Sequence, residues 1–283
     1  MTASVFDPRP CELGEGPLWH PARGQLFWFD ILGKRLLTEG QDRVFNRHVS
    51  AAGWVGQGTL LIATETDLMR LDLDTGAQDS VAPVEADNPL TRSNDGRADP
   101  WGGFWIGTMG KRAEPGAGAI YRYYRGEVRR LFGQITIPNA ICFLPDGGHA
   151  HFADTARGIV WRQPLSDTDG WPVGEPEIYL DHGEDGPHPD GAVVDADGNF
   201  WCAEWGSSRV RCYDPGGRVL QEVRLPVSQP SCPAFGGPDL RDLYITTARE
   251  HLSAAALAAE PLAGQVFIAE GMAQGQAEHE VIL

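Results

Sequence analysis

The sequence predicts an all-β fold, a six-bladed β-propeller built by residues 1–283 as one domain. Three observations carry this expectation. One strand–turn–strand unit recurs six times, the 35 glycines and 21 prolines are spread along the chain rather than gathered in tracts, and long helical periodicity is nearly absent. Many short strands joined by many tight turns produce that distribution.

The six copies are EGPLWHPARGQLFWFD with KRLLTEG, AGWVGQGTLLIATETD with LMRLDLDTG, NDGRADPWGGFWIGTMG with GAIYRYYRGE, NAICFLPDGGHAHFADTARG with IVWRQPL, DGAVVDADGNFWCAEWGSS with RVRCYDPGGRVLQEV, and SCPAFGGPDLRDLYITTARE with GQVFIAE. Their spacing of about 33–49 residues brackets the length of a four-stranded propeller blade. PDG and DADG put Pro or Asp where a turn begins and Gly where a positive φ is needed. The strands are rich in Trp, Phe, Tyr, Val and Ile, as half-buried pleated surfaces are. A β-sandwich also has many short strands, but sixfold recurrence in register favours blades stacked around an axis, which bury each blade against its neighbours. The G-H…W-D signature of WD40 blades is absent. Leu252–Ala259 (LSAAALAA) reads as a short helical insertion. Either Ser4–Phe6 or the C-terminal HEVIL is expected to supply the last blade's outer strand.

Lys plus Arg number 23 and Asp plus Glu 39, a net charge of −16. Such a surface repels nucleic acid and anionic membranes and suits a metal cation and a neutral small molecule; no obligate protein partner is evident. Cys11, Cys142, Cys202, Cys212 and Cys232 are odd in number, and no pair has zinc-site spacing. Reduced thiols in a cytoplasmic protein are expected. MTASVFDPRP has neither the basic start nor the apolar run of a signal peptide, and no stretch approaches the ~20 apolar residues of a membrane span.

The repeats also point to a site. Aligned on the turn after each first strand, Glu15 lies six residues before Pro21, Asn94 six before Pro100, Asn139 six before Pro145 and Asp190 six before Ala196. The second and sixth repeats carry small residues there, near Ala51 and Ser231. First strands line a propeller's channel, so these four polar side chains converge at one end of it. Their oxygens are the ligands hard cations such as calcium or magnesium prefer; the alternative is a channel end capped by hydrogen bonds or ordered water. Without a cation, Glu15 and Asp190 would repel each other.

At these residues the chain resembles the gluconolactonase/regucalcin (senescence marker protein) family of sugar lactonases, from Leu13 to about Ala269. The motifs that carry the resemblance are GEGPLW, RSNDGR, FWIGTM, IPNAICFLPDG, FADT, PDGAVVDADGNFW and FGGPDLRDLYITTA, in this order. The resemblance implies a six-bladed propeller with one divalent metal, whether calcium, zinc, manganese, magnesium or Fe(II), held by Glu15, Asn139 and Asp190. It implies Arg92 and Asn94 as substrate contacts and Glu114 as a substrate-facing carboxylate, although the loop GKRAEPGAG departs from the family pattern. Ala140 stands where Gly often follows the metal Asn, and Leu144 where Ser often precedes PDG.

The expected activity is hydrolysis of a sugar lactone such as glucono-, xylono-, arabino- or galactonolactone, with the metal polarising the carbonyl and Asp190, or failing it Glu15, activating water. No G-x-S-x-G elbow offers a serine nucleophile. The competing expectations are a metal-dependent aryl-ester or phosphotriester hydrolase and a non-catalytic calcium-binding propeller. Asp30 and Asp154, at matching strand ends, are expected to hold turn backbones, with the outer shell of the metal as a second role for Asp154. His182 and His188 are expected at a rim, His188 within reach of substrate. Trp19, Trp105 and Trp201 read as blade packing, and Trp205 as lying nearer the channel end.

Overall fold

In the computed structural model, which describes residues 3–283, six antiparallel four-stranded sheets form a closed ring. The first strands of blades 1 to 6 are Gly14–His20, Val49–Val55, Thr91–Ala98, Pro138–Phe143, His188–Val194 and Pro230–Gly236. Each packs against the first strands of the two flanking blades, blade 6 against blade 1 included. The expected propeller is therefore the observed fold.

The period-two alternation of strand side chains explains why the ring holds. In blade 1, Phe27 and Phe29 face Leu60, Ile62 and Met69 of blade 2, whereas Leu26, Trp28 and Leu37 face Tyr244 and Val266 of blade 6. In blade 2, Leu61 and Ala63 turn the other way, onto Phe104 and Ile106 of blade 3. Trp105 of blade 3 meets Ile141 and Phe152 of blade 4. Ala153 and Val160 of blade 4 meet Phe200 and Cys202 of blade 5, and Trp201 of blade 5 meets Phe235 and Ile245 of blade 6. Each seam is thus filled by alternate residues of two adjacent sheets. A buried Phe or Leu side chain contributes about 1.5–3 kcal/mol, so every blade draws stability from both of its neighbours. All five cysteines are buried and free. Trp105 and Trp201 are fully buried packing residues as expected, and Trp19 stacks on Tyr244 at 5.6 Å. The expected helical insertion is Ala254–Ala259. No helix of the described residues is long and apolar enough to cross a membrane.

The two chain termini have different tasks. Ser4–Asp7 pairs antiparallel with Val266–Ala269 and completes blade 6, so the N-terminal alternative for ring closure is the one realised. The C-terminal segment crosses the channel instead, at the end where the first strands finish. Val281 N donates to Trp54 O and Ile282 N to Gly102 O, both at 2.9 Å, while Gln276 Nε2 donates to Val194 O at 2.9 Å and Phe143 O at 3.2 Å. Blades 2 to 5 are stitched by one strap. Beneath it, buried Arg97 donates through Nε to Ile141 O and through Nη2 to Ala192 O, both at 3.2 Å, and pairs with Glu278 of the strap.

Both members of that pair are shielded from water, so removing one leaves an uncompensated charge. Glu278→Ala is expected to lower stability by about 3–5 kcal/mol in urea unfolding. A loss within the few tenths typical of surface substitutions would show that the strap does not seal this end.

Candidate functional site

The pairing register of every first strand breaks near its start: between Glu15 and Leu18, Val49 and Ala51, Ser93 and Gly96, Asn139 and Cys142, Pro189 and Ala192, and Pro230 and Cys232. Such bulges bend a strand and re-aim its side chains. Asn94 and Asp190 lie inside their bulges, and Glu15 and Asn139 at the last paired position before theirs. The residue after Glu15 is Gly16, with φ 52°, and the residue after Asn139 is Ala140, with φ 57°. Gly adopts this left-handed conformation without strain, whereas Ala does not. At Gly16 a Cβ would also lie 2.3 Å from Ser50 O. In the two blades without a chemical side chain, the bulge residues are Ser50, one position before Ala51, and Ser231. Ser50 Oγ donates to Ser93 Oγ at 2.8 Å, and Ser231 Oγ donates to Gly14 O at 2.5 Å.

The re-aimed side chains line one cavity of about 470 Å³ at this end of the channel, with Glu15, Arg92, Asn94, Asn139 and Asp190 in its wall. That volume is typical of small-molecule sites. A hydrogen-bonded chain fixes its floor. Arg92 Nη1 donates to Asn94 Oδ1 at 2.8 Å, Asn94 Nδ2 to Asn139 Oδ1 at 2.9 Å, Asn139 Nδ2 to Thr155 Oγ1 at 2.8 Å, and Thr155 Oγ1 to Pro189 O at 2.7 Å. Asn94 Nδ2 also donates to Pro138 O. Asn94 is therefore mainly occupied in orienting Arg92 and Asn139, while the remaining Arg92 nitrogens donate to no protein group among the described residues and face the cavity.

The two carboxylates are held differently. Glu15 Oε2 accepts from Gly16 N at 3.0 Å, and no basic side chain forms an ion pair with Glu15 or Asp190 among the described residues. Burial first, and then the charge of Asp95, push Glu15 up to about 8. Burial, and then the charge of Glu15, hold Asp190 well above the usual carboxylate range. Asp95 lies beneath them, accepting from Ile141 N at 2.7 Å and Gly96 N at 2.9 Å, and burial raises it to about 6. Two buried carboxylates that repel each other and lack a cationic partner are costly unless a cation enters between them. Among the described residues no three His, Cys, Asp or Glu converge as a metal-binding group. The candidate set is two carboxylates and the Asn139 amide, an all-oxygen set suited to a hard divalent cation.

Of the residues expected at the site, Glu114 is the one not brought to the cavity. Its carboxylate turns back on its own loop, accepting from Arg112 N at 3.1 Å and Arg112 Nε at 3.3 Å. It lies over Gly110, where a Cβ would sit 2.2 Å from its oxygen. Asp30 and Asp154 do hold backbones: Asp30 accepts from the N–H groups of Glu12, Leu13 and Gly33, and Asp154 from those of Thr136, Ile137 and Ala156. His188 and Trp205 line the cavity and His182 does not. Sequence reasoning missed Thr155, Glu250 and His251 in the wall, where they join Lys111 and Arg112 of the loop GKRAEPGAG. Each follows a blade's second strand. In an antiparallel hairpin the end of the second strand returns to the start of the first, and that signal was available in the repeat register.

The family model described as the SMP-30/Gluconolactonase/LRE-like region matches residues 13–249. The chain is 36 % identical to the 6-deoxy-6-sulfogluconolactonase of Pseudomonas putida, covering 95 % of each chain. It is 35 % identical to the L-arabinolactonase of Azospirillum brasilense, over 94 % of this chain and 90 % of that one. The crystal structure of a calcium-binding protein, regucalcin, from Agrobacterium tumefaciens superposes with a TM-score of 0.97 at 39 % identity, over 100 % of this chain and 98 % of that one. The fold, the bulged site and these likenesses agree: the chain belongs to the SMP-30/gluconolactonase/LRE-like family.

Proposed function

We propose that this protein is an enzyme, a hydrolase of sugar lactones, and that its activity depends on a divalent cation held by Glu15, Asn139 and Asp190. The observation that supports this most directly is the pair of buried, unneutralised carboxylates in the wall of a cavity of about 470 Å³, large enough to admit a sugar ring. The lactonases among the relatives support the substrate class, and the calcium-binding neighbour makes calcium the first cation to test.

When bound, a divalent cation supplies Lewis acidity to a carbonyl oxygen and acidifies water. The protein's own groups do the rest. Asp190 has two carboxylate oxygens, of which one would hold the cation and the other would take a proton from the attacking water. Arg92, fixed through Nη1, turns its free N–H donors to the substrate's oxygens. Asn94 sets the position of Arg92 and, through Asn139 and Thr155, that of the segment carrying Asp190. The wall formed by Leu13, Met109, Ile137 and Trp205 excludes water from the ring's apolar faces.

Chelator-treated protein is expected to release no acid above background from glucono-, xylono-, arabino- or galactonolactone in a pH-stat. Calcium, manganese, zinc, magnesium or Fe(II), added singly, should restore turnover. Failure to hydrolyse any lactone with any of these cations overturns the proposal. Asp190→Ala should lower kcat by about 10²–10⁴-fold, the usual range for a general base, with the fold intact by circular dichroism. Unchanged kcat would remove Asp190 from the mechanism.

A pH dependence of stability also follows. Folding raises the Glu15 pKa from 4.5 to about 8, so the native state binds more protons than the unfolded state between those values. Stability contributed by the protonated form is complete below pH 4.5 and is lost as pH rises through about 8; Asp190 acts in the same direction. The Tm of cation-free protein should therefore fall between pH 5 and pH 8, and saturating calcium should abolish the fall. A cation-free Tm that rises over this interval would contradict the electrostatic account of the site.

A further inference from the structure

With Glu114 folded onto its own loop, the cavity receives a carboxylate from the opposite side of the ring. Glu250 follows the second strand of blade 6, Asp242–Thr247, and lines the cavity across from Lys111 and Arg112 of blade 3. Blades 3 and 6 face each other in a ring of six. The Glu250 backbone is clamped: Arg249 N and Glu250 N both donate to Glu12 O at 2.9 Å, and Glu250 O accepts from Gln229 Nε2 at 3.1 Å. The side chain is not. Among the described residues no N–H or O–H makes a hydrogen bond to its carboxylate, and the one group within ion-pairing range is His251 Nε2 at 3.5 Å. A carboxylate on a fixed backbone, open to the cavity and free of protein donors, is an acceptor waiting for a ligand's donors.

The cations opposite it are less available. Lys111 Nζ donates to Pro89 O at 3.1 Å and lies 3.4 Å from Glu65, and Arg112 is paired with Glu114. The open hydrogen-bonding capacity of the mouth is therefore acceptor-rich on the blade 6 side. Neutral hydroxyl groups meet that need, since each brings a donor and no charge.

We propose that Glu250 is the substrate-orienting carboxylate of this protein, accepting hydrogen bonds from two hydroxyls on adjacent carbons of the lactone ring. This assignment rests on the lactonase reading above. It makes Glu250 a specificity residue: it selects polyhydroxylated rings over bare ones and points the hydroxylated edge toward blade 6. Hydrogen bonds to an ionised acceptor are the stronger kind.

Glu250→Gln preserves size and removes the charge. The test compares it with the wild type on D-glucono-1,5-lactone and on δ-valerolactone, which has the same ring size and no hydroxyls. Calorimetric binding of 1,5-anhydro-D-glucitol, which has the hydroxyls and no ester, supplies a readout independent of turnover. KM for the gluconolactone should rise roughly tenfold, the scale of one hydrogen bond to a charged group, with δ-valerolactone changed less than about twofold and kcat little affected. Binding of the anhydroglucitol should weaken by about the same tenfold factor. Equal effects on both lactones, no effect on either, or equal affinity of the two proteins for the anhydroglucitol would overturn the assignment while leaving the lactonase reading standing. A wild type that hydrolyses neither lactone would end that reading, and the anhydroglucitol comparison would then decide by itself whether Glu250 grips a polyol: weakening in the variant supports the contact, while equal or absent binding refutes it.

Discussion

Like-charge crowding of Glu15 and Asp190 at the end of a narrow, desolvated channel is the constraint on which the rest of the structure depends. Among the described residues neither carboxylate has an ion-pair partner; burial and then the charge of Asp95 raise the pKa of Glu15, and burial and then the charge of Glu15 raise that of Asp190. A protein does not keep such a pair for stability, because well-packed apolar groups would serve better. The arrangement makes sense as a receptor for positive charge, and the surrounding features keep the two groups from relaxing apart. The chain from Arg92 through Asn94, Asn139 and Thr155 to Pro189 O ties blades 3, 4 and 5 at the height of the site. Asp95 clips the blade 3 bulge to that of blade 4 just beneath it.

The ring supplies the resistance. Alternate residues of each sheet lock into one neighbour and the remaining residues into the other, so moving one first strand outward disturbs two seams. Ser4–Asp7 closes blade 6 with a strand from the other end of the chain. The C-terminal strap and the Arg97–Glu278 pair seal the far mouth. The candidate site lies at the opposite end, where first strands begin and second strands finish.

Much of this was legible in the sequence for a definite reason. Blade turns need particular residues, so PDG and DADG marked the register, and a constant offset of six residues brought out Glu15, Asn94, Asn139 and Asp190 together. Two features were not legible. Ring closure could have used either terminus, because both Ser4–Phe6 and HEVIL are short and apolar enough to pair, and only the three-dimensional path of the last blade decides between them. The fate of Glu114 was hidden because a loop's conformation depends on contacts the local sequence does not encode. Gly110 leaves room for the Glu114 carboxylate to fold back, and the cavity's additional acceptor, Glu250, comes from a segment 136 positions later in the numbering. The bulges lie between these extremes: Gly16 hints at one, but Ala140 adopts the same φ without announcing it.

The most direct test of the central claim is anomalous diffraction from crystals soaked in manganese. The account predicts one strong peak within roughly 2.0–2.6 Å of a carboxylate oxygen from Glu15, a carboxylate oxygen from Asp190 and the Asn139 amide oxygen, the range for oxygen ligands of hard divalent cations. A cavity without such a peak, or a peak coordinated by other residues, would contradict it.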